Sequence, residues 1–185
     1  MNLRERNLAP TNTISGINNT LDMLTFTVGE QSYSLPVTHV VRIIEMVTIT
    51  QLPGVPDIIQ GVINVQGKTV PVMDLRRRFG LPVQPYGLHT PIILTDNGNG
   101  QIIGLVVDTV EDVVNVPHAQ LEMSEAILPA ELERQMINQT AYLAGVAKMD
   151  RQMIVVLNAK ALLTLTEQTT LYQVLDGHKS SNHKQ

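Results

Sequence analysis

The sequence predicts an all-β fold, and three observations support this prediction. Short runs of β-branched residues recur along the chain and are separated by Gly, Asn, Asp or Pro, which is typical of strands and turns. Some of these runs are joined by tight turns, as in β-hairpins. The third observation is an internal repeat. Together they favour a barrel or a sandwich over a sheet built from βαβ units.

Two hairpins are the clearest elements. Leu24 to Val28 and Gln31 to Leu35 flank the turn Gly29-Glu30. Pro91 to Thr95 and Gln101 to Val107 flank a loop of Asp, Asn and Gly residues, which tolerate positive φ. The apolar runs in the second hairpin predict strands that are suited to burial.

Helical turns are predicted after Pro36, Asp74 and Asn158, because Asp and Asn readily cap a turn that follows a strand. The remaining strands are expected at Val62 to Val65, Thr69 to Met73, Val113 to Val116, Leu143 to Met149 and Met153 to Leu157.

The chain also resembles itself. At an offset of 84 residues Gly61 falls on Gly145 and Asp74 on Asn158, with apolar residues matching between them. Val-rich segments also align by chance, but the constant offset through glycine, strand and cap favours duplication. Two small β-subdomains would each gain stability by sharing apolar surface where they meet.

A second offset, of 70 residues, relates two apolar triplets that each follow a hairpin. Their i, i+3, i+6 spacing is that of the apolar face of a helical turn. The triplets are Val37, Val40, Ile43 and Val107, Val110, Val113.

Composition excludes several classes of function. The net charge of -4 disfavours a nucleic-acid binder, which needs a basic face, and also attraction to a membrane surface. With no cysteine there is no thiolate metal site or disulfide. Without an N-terminal apolar region or a long apolar segment, no membrane insertion is expected, and the sequence predicts a cytoplasmic protein.

No catalytic or cofactor motif is present. The sequence lacks a Gly-x-Ser-x-Gly elbow and a phosphate-binding loop ending in GKS or GKT, and its glycines at 98, 100 and 104 have the wrong spacing for a dinucleotide site. The histidines do not occur at the i, i+4 spacing of a helical metal pair. We therefore expect no enzyme, no cofactor and no metal.

Two local features remain. Arg76, Arg77 and Arg78 form the one dense charge run, which indicates either a solvated face or a docking patch for a partner. Pro71 lies inside a predicted strand, and because proline cannot donate to a ladder it predicts an edge strand. Edge strands are where β-modules recruit partners.

The segment QLPGVPDIIQGVINVQGKTVPVMDLRRRFGL resembles the signature region of CheW-domain proteins, which has a Pro-containing loop, Gly-Val-x-Asn-Leu-Arg-Gly and then Pro-Val-x-Asp-Leu-Arg. The resemblance extends from LTFTVGEQSYSLPVTHVVRI to YLAGVAKMDRQMIVVLNAKALL, about four-fifths of the chain. It places the domain at 21–166, between an N-terminal tail at 1–20 and a partly helical C-terminal tail at 167–185.

The resemblance implies two packed SH3-like five-stranded β-barrels and a non-enzymatic adapter. Similar proteins couple the cytoplasmic tip of a methyl-accepting chemoreceptor, in membrane-associated arrays, to the regulatory domain of a CheA-type histidine kinase. The implied receptor site comprises Val37, Val40, Ile43, Val106 and Val107. The implied kinase site comprises Gly61, Asn64, Gln66 and Gly67.

Two positions depart from the family pattern. Arg42 stands where the family usually has Glu, and Gln66 stands where it usually has Arg. Because such exchanges alter both charge and donor geometry, we predict that Arg42 and Gln66 set partner specificity. A β-barrel that binds a small ligand in its apolar seam is the alternative function from another class.

Overall fold

The computed structural model describes residues 19–98, 100–123, 141–149 and 152–181. Within them the chain forms eleven strands and two α-helices, α1 (Leu75–Arg78) and α2 (Leu165–Ser181). Short 3₁₀ turns occupy Val37–His39, His118–Gln120 and Ala159–Ala161. The strands are β1 (Thr20–Val28), β2 (Gln31–Pro36), β3 (Val40–Glu45), β4 (Ile59–Val65), β5 (Lys68–Asp74), β6 (Pro91–Asp96), β7 (Ile102–Val106), β8 (Thr109–Pro117), β9 (Leu121–Met123), β10 (Leu143–Met149) and β11 (Gln152–Leu157). The predicted all-β class is confirmed.

The strands form two sheets, and each sheet takes strands from both halves of the chain. Sheet A has the order β8-β1-β2-β11-β10-β9, and sheet B has the order β3-β6-β7-β5-β4. The first hairpin, β1–β2, therefore lies among second-half strands, and the second hairpin, β6–β7, lies among first-half strands. The halves are interlocked rather than side by side.

The predicted repeat is confirmed in the strand order and in the bulges. Strands β3, β6, β7, β5 and β4 of sheet B correspond in order to strands β8, β1, β2, β11 and β10 of sheet A. The ladders β4–β5 and β10–β11 both shift register at the matching glycines, Gly61 and Gly145. A Cβ on Gly61 would collide with the carbonyl oxygen of Thr50, and one on Gly145 with that of Glu122. Both glycines thus admit a neighbouring backbone.

That neighbouring backbone closes each sheet into a barrel. After β8 the chain makes a 3₁₀ turn and β9 pairs with β10 at the opposite edge of sheet A. In sheet B, Thr50 lies downstream of β3 and bridges Val62 of β4, at the opposite edge. The SH3-like barrels that the resemblance implied are built in this way.

Among the described residues the core consists of three largely aliphatic clusters: the largest lies between the sheets, and each of the two smaller ones is formed by strands of a single sheet. The largest buried cluster draws Phe26 and Leu35 from sheet A and Met73, Ile93 and Leu105 from sheet B. All five are fully buried. Because each sheet buries this face only against the other, the two subdomains depend on each other for stability.

The helical turns after Asp74 and Asn158 are confirmed. The Asp74 Oδ1 accepts a hydrogen bond from the Arg76 N–H at 2.7 Å, and the Asn158 Oδ1 accepts one from the Lys160 N–H at 3.1 Å. Each side chain satisfies a backbone donor that the first turn leaves free.

The helical face predicted for Val37, Val40 and Ile43 is wrong. The turn after Pro36 covers only Val37–His39, and Val40 and Ile43 lie on β3. A β-bulge at Val41 lengthens the path between them, so that Val40 and Ile43 still project from one face of the sheet. A bulged strand and a helical turn give the same sequence spacing here.

The second triplet repeats this arrangement. Val110 lies opposite Phe26 and Val113 opposite Leu24, with a bulge between them. Opposite residues in an antiparallel pair share a face, so both valines project toward the shared core. The prediction of a helical turn is wrong for Val107, Val110 and Val113 as well.

Pro71 does not lie on an edge strand, contrary to the prediction. Strand β5 is between β7 and β4. However, β7 pairs only with Val72, Met73 and Asp74, so Pro71 sits just where the second neighbour ends. The physical requirement, that no neighbour needs its N–H, is met inside the sheet.

Leu165–Ser181, in the C-terminal segment, forms helix α2. Helix α2 begins with a capping box, in which the Glu167 Oε2 accepts from the Thr164 N–H at 2.7 Å and the Thr164 Oγ1 accepts from the Glu167 N–H at 3.2 Å. Leu171 and Leu175 of α2 are buried in the core. The predicted N-terminal tail lies outside the described residues except at Asn19 and Thr20.

Candidate functional site

The hairpin β4–β5 ends in an exposed two-residue turn. Gln66 and Gly67 have φ values of 53° and 82°, the positive φ pair of a type I′ turn. The Asn64 Oδ1 accepts a hydrogen bond from the Gly67 N–H at 2.8 Å and so closes the turn. Left-handed backbone costs a residue with a side chain roughly 1–2 kcal/mol, so the hairpin holds Gln66 in a conformation it does not prefer. The structure therefore brings Asn64, Gln66 and Gly67 together at one tip.

The outer edge of β4 is only partly paired. Val62 exchanges both of its backbone hydrogen bonds with Thr50, at 2.8 Å each. Because the backbone groups of alternate residues in a strand point the same way, the N–H and C=O of Asn64 point outward too. An exposed strand edge of this kind can add a strand from a partner.

Gly61 differs from the other three predicted kinase-site residues. It is buried, and its φ of 144° together with the close approach of Thr50 explains why it is glycine. Its place in the kinase site is therefore corrected. Gly61 is buried and allows the backbone of Thr50 to pack against β4, so it offers no surface for a direct contact.

The predicted receptor residues on β3 form a graded apolar strip. Val37 and Val40 are half-buried against the main core, and Ile43 is 42% exposed on the same face as Val40. Arg42 is exposed, and it lies opposite Leu94, on the other face of sheet B. The strip and Arg42 thus present different chemistry on opposite faces of one edge strand.

Val106 and Val107 are buried in the core, at 4% and 2% exposure, so the structure corrects their assignment as receptor contacts. The repeat explains why sequence pointed to the wrong residues. The counterparts of Val40 and Ile43 are Val110, which is half-buried, and Val113, which is 51% exposed. Accessible apolar surface on the second edge strand lies at these residues.

The arginine run is only partly a solvated face: Arg77 is exposed, whereas Arg76 and Arg78 are engaged in ion pairs. Arg76 donates to both carboxylate oxygens of Asp108, at 2.7 and 2.6 Å, and Asp108 also accepts from the Gly29 N–H at 2.7 Å. Arg78 donates to Glu167 of α2 at 3.0 Å and lies over the ring of Tyr142. Sequence reasoning missed both pairs, because no local pattern relates residues so far apart in the chain.

Asp108 sits where the chain crosses from sheet B to sheet A. Burial opposes its ionisation, but the hydrogen bonds from Arg76 and Gly29 and the charge of Arg76 outweigh this effect and lower the pKa of Asp108. The carboxylate therefore fixes the crossover against the β1–β2 turn and helix α1.

A second polar contact lies beside it. The Tyr86 hydroxyl donates to Oδ2 of the buried Asp74 at 2.5 Å. Burial and this hydrogen bond raise the pKa of Tyr86 well above its ordinary value, so the phenol stays protonated. This contact holds the loop before β6 and is structural in character.

Within the described parts of the chain, no group of three or more His, Cys, Asp or Glu side chains could hold a metal ion. No helix among those residues is long and apolar enough to span a membrane.

Comparison with known proteins gives one consistent result. The sequence model of the CheW-like domain matches residues 22–167. A chemotaxis protein CheW from Klebsiella aerogenes is 30% identical over 157 residues, which covers 85% of this chain and 90% of that protein. A chemotaxis protein CheW from Bacillus subtilis is 29% identical, with 76% and 85% covered.

Solved structures agree. The crystal structure of the scaffolding protein TtCheW from Thermoanaerobacter tengcongensis superposes with a TM-score of 0.68 at 29% identity, over 80% of this chain and 94% of that one.

Proposed function

The chain belongs to the CheW-like domain family, and we propose on that premise that it couples chemoreceptors to a CheA-type histidine kinase in chemosensory signalling. The observation that carries this proposal is the match over residues 22–167, with relatives named as chemotaxis proteins and a neighbour named as a scaffolding protein. Proteins of this family are scaffolds, not enzymes. The proposed place of action is the cytoplasm, at membrane-associated receptor arrays.

The kinase contact is proposed at the tip and outer edge of β4–β5. Asn64, Gln66 and Gly67 are exposed there, and the outward backbone of Asn64 is available to a partner. The regulatory domain of the kinase is the proposed occupant, since the family signature lies in this hairpin.

The receptor contact is proposed on the strip of β3. Ile43 is the most exposed member, and Val37 and Val40 connect it to the core. An amphipathic helical tip of a receptor would bury its apolar face on such a strip. Val107 lies in the core cluster against which Val37 and Val40 pack and would support this surface from inside, whereas Val106 belongs to the separate cluster within sheet B.

The test is titration calorimetry with the kinase's regulatory domain, and separately with a receptor's cytoplasmic tip. Gly67→Asp should weaken kinase binding at least tenfold and leave receptor binding unchanged. Gly80→Asp is the matched control, because Gly80 has a similar positive φ of 69°, and for both glycines no atom lies within 4 Å of an added Cβ.

Ile43→Asp should give the reverse result, with receptor binding lost and kinase binding kept. The melting temperature should change little, because Ile43 is already 42% exposed. If the unmodified chain bound neither partner, the proposed function would be refuted.

A further inference from the structure

Sheet B forks where β5 passes Pro71. The parallel ladder between β5 and β7 begins at Val72 and Gly104, and before that point the hairpins β4–β5 and β6–β7 diverge. The cleft between them has a volume of about 590 Å³. Its walls come from β5 and from the β6–β7 turn, and its floor comes from Tyr172, Leu175 and Asp176 of helix α2.

The backbone of Thr69 faces this cleft. Val62 bonds to Thr50, away from β5, so its partner Pro71 has its backbone groups turned away from β4. Thr69 lies two residues before Pro71 and has the same orientation. Its N–H and C=O therefore point into the cleft.

The backbone of Ile102 faces the cleft from the other side. The Asn97 N–H donates to the Gln101 carbonyl at 3.0 Å, which directs Gln101 toward β6. The next residue, Ile102, is turned the opposite way, toward β5. The ladder has already ended at Gly104, so Thr69 and Ile102 present strand-forming groups to each other across the gap.

The repeat supplies an internal comparison, because sheet A has the same fork. There the ladder extends one pair further, to Val155 and Tyr33, and Val155 is the counterpart of Pro71 at the offset of 84. The Gln31 Nε2 then donates to the Met153 carbonyl at 3.3 Å and bridges the fork. Met153 is the counterpart of Thr69, so its carbonyl marks the direction inferred for Thr69.

Sheet B also has a glutamine at the equivalent position, but its side chain has a different hydrogen-bond partner. Gln101 is the counterpart of Gln31 at the offset of 70. Its Oε1 accepts from the Asn97 Nδ2 at 3.1 Å, within its own hairpin. The fork of sheet B is therefore open, because Pro71 replaces valine and Gln101 bonds within its own hairpin. The fork of sheet A is bridged by Gln31.

We propose that this fork is a docking site for an extended segment of the kinase partner, which adds a short strand between β5 and β7. Facing N–H and C=O groups on two diverging strands are recognised by a polypeptide backbone, which supplies both donors and acceptors at strand spacing. One side chain of the segment would pack on Tyr172 and Leu175. Gly67 lines the same cleft, so the segment would continue from the hairpin tip proposed for the kinase. The inference rests on the proposed function.

The test uses two substitutions with a control. Pro71→Val copies Val155 and should extend the ladder, narrow the cleft and weaken binding of the kinase's regulatory domain at least tenfold. Thr69→Pro removes one cleft-facing donor, which β4 does not use, and should weaken binding about tenfold. Met153→Pro, the counterpart change in sheet A, should leave binding unchanged.

Amide hydrogen exchange on the unmodified full chain supplies the direct readout. With the regulatory domain bound, the amides of Thr69 and Ile102 should exchange at least tenfold more slowly. Binding without that protection, and unaffected by Pro71→Val, would overturn the inference while the proposed function stood. Equal protection in a concentrated sample of the chain alone would assign the cleft to a second copy and also overturn it. Absence of any kinase binding would refute the proposed function itself.

Discussion

Asp108→Asn is predicted to destabilise the protein well beyond what an exposed ion pair contributes. The substitution keeps the shape of the side chain and its ability to accept from the Gly29 N–H, but it removes the negative charge opposite Arg76. The two side chains are only 25% and 13% exposed, respectively, so water replaces the lost partner poorly.

The expected cost is about 2–3 kcal/mol. Hydrogen bonds to charged groups contribute roughly 1.5–3 kcal/mol, and removing one partner of a fully buried pair costs roughly 3–5 kcal/mol. Partial exposure of Asp108 places the value at the lower end. For a chain of this length the melting temperature should fall by about 4–12 °C.

Thermal unfolding followed by circular dichroism measures this, with Glu122→Gln as the control. Glu122 pairs with Lys148, but both side chains are about half exposed, so that change should cost less than about 1 kcal/mol. Equal shifts for the two variants would refute the reasoning that the crossover depends on Asp108.

The pH dependence has a definite sign. The folded-state pKa of Asp108 is lowered from 3.8, so its stabilisation is present above that value and is lost as pH falls through the folded pKa. The difference in melting temperature between the parent and Asp108→Asn should therefore be constant near neutral pH and shrink only below about pH 4. A difference that shrank between pH 7 and 5 would point to another group.

Two further predictions concern backbone and specificity. Gly61→Ala should lower the free energy of unfolding by more than about 2 kcal/mol, because the new Cβ would meet the Thr50 carbonyl. Urea unfolding measures this loss, and a smaller loss would mean that β4 shifts easily to make room. The double change Arg42→Glu with Gln66→Arg should improve binding to a kinase and receptor from a system with the usual family residues, relative to the parent; identical affinities would mean that both positions are neutral surface.

Sequence predicted the strands well, because hairpin turns and β-branched runs carry local information. It also predicted the capped turns at Asp74 and Asn158, since an Asx side chain acts on its own backbone. The triplet spacing was the exception. A bulge adds one residue to a strand, which shifts a period of two toward three, and only the partner strand distinguishes that from a helical turn.

The candidate site was only partly predictable. The strands on either side of the Asn64 to Gly67 turn were predicted because their apolar runs are local, whereas the exposure of Val106 and Val107 depends on how two sheets pack. The Arg76 pair with Asp108 depends on the crossover between the sheets, which no spacing encodes. Tertiary contacts of this kind become visible only when the topology is known.

The repeat gives a last prediction, which concerns the half that lacks the ion pair. The counterparts of Arg76 and Asp108, at offsets of 84 and 70, are Lys160 and Thr38. The Lys160 side chain lies close to Gly98 in the β6–β7 turn. In the other half, the Arg76–Asp108 pair contacts the corresponding β1–β2 turn at Gly29. If the halves share their geometry, Thr38→Asp with Lys160→Arg should create a second bidentate pair. It should add about 1 kcal/mol beyond the sum of the single changes, since the site is more exposed than that of Asp108. A double-mutant cycle by urea unfolding measures this coupling, and a coupling near zero would mean that the two crossovers have diverged in geometry as well as in sequence.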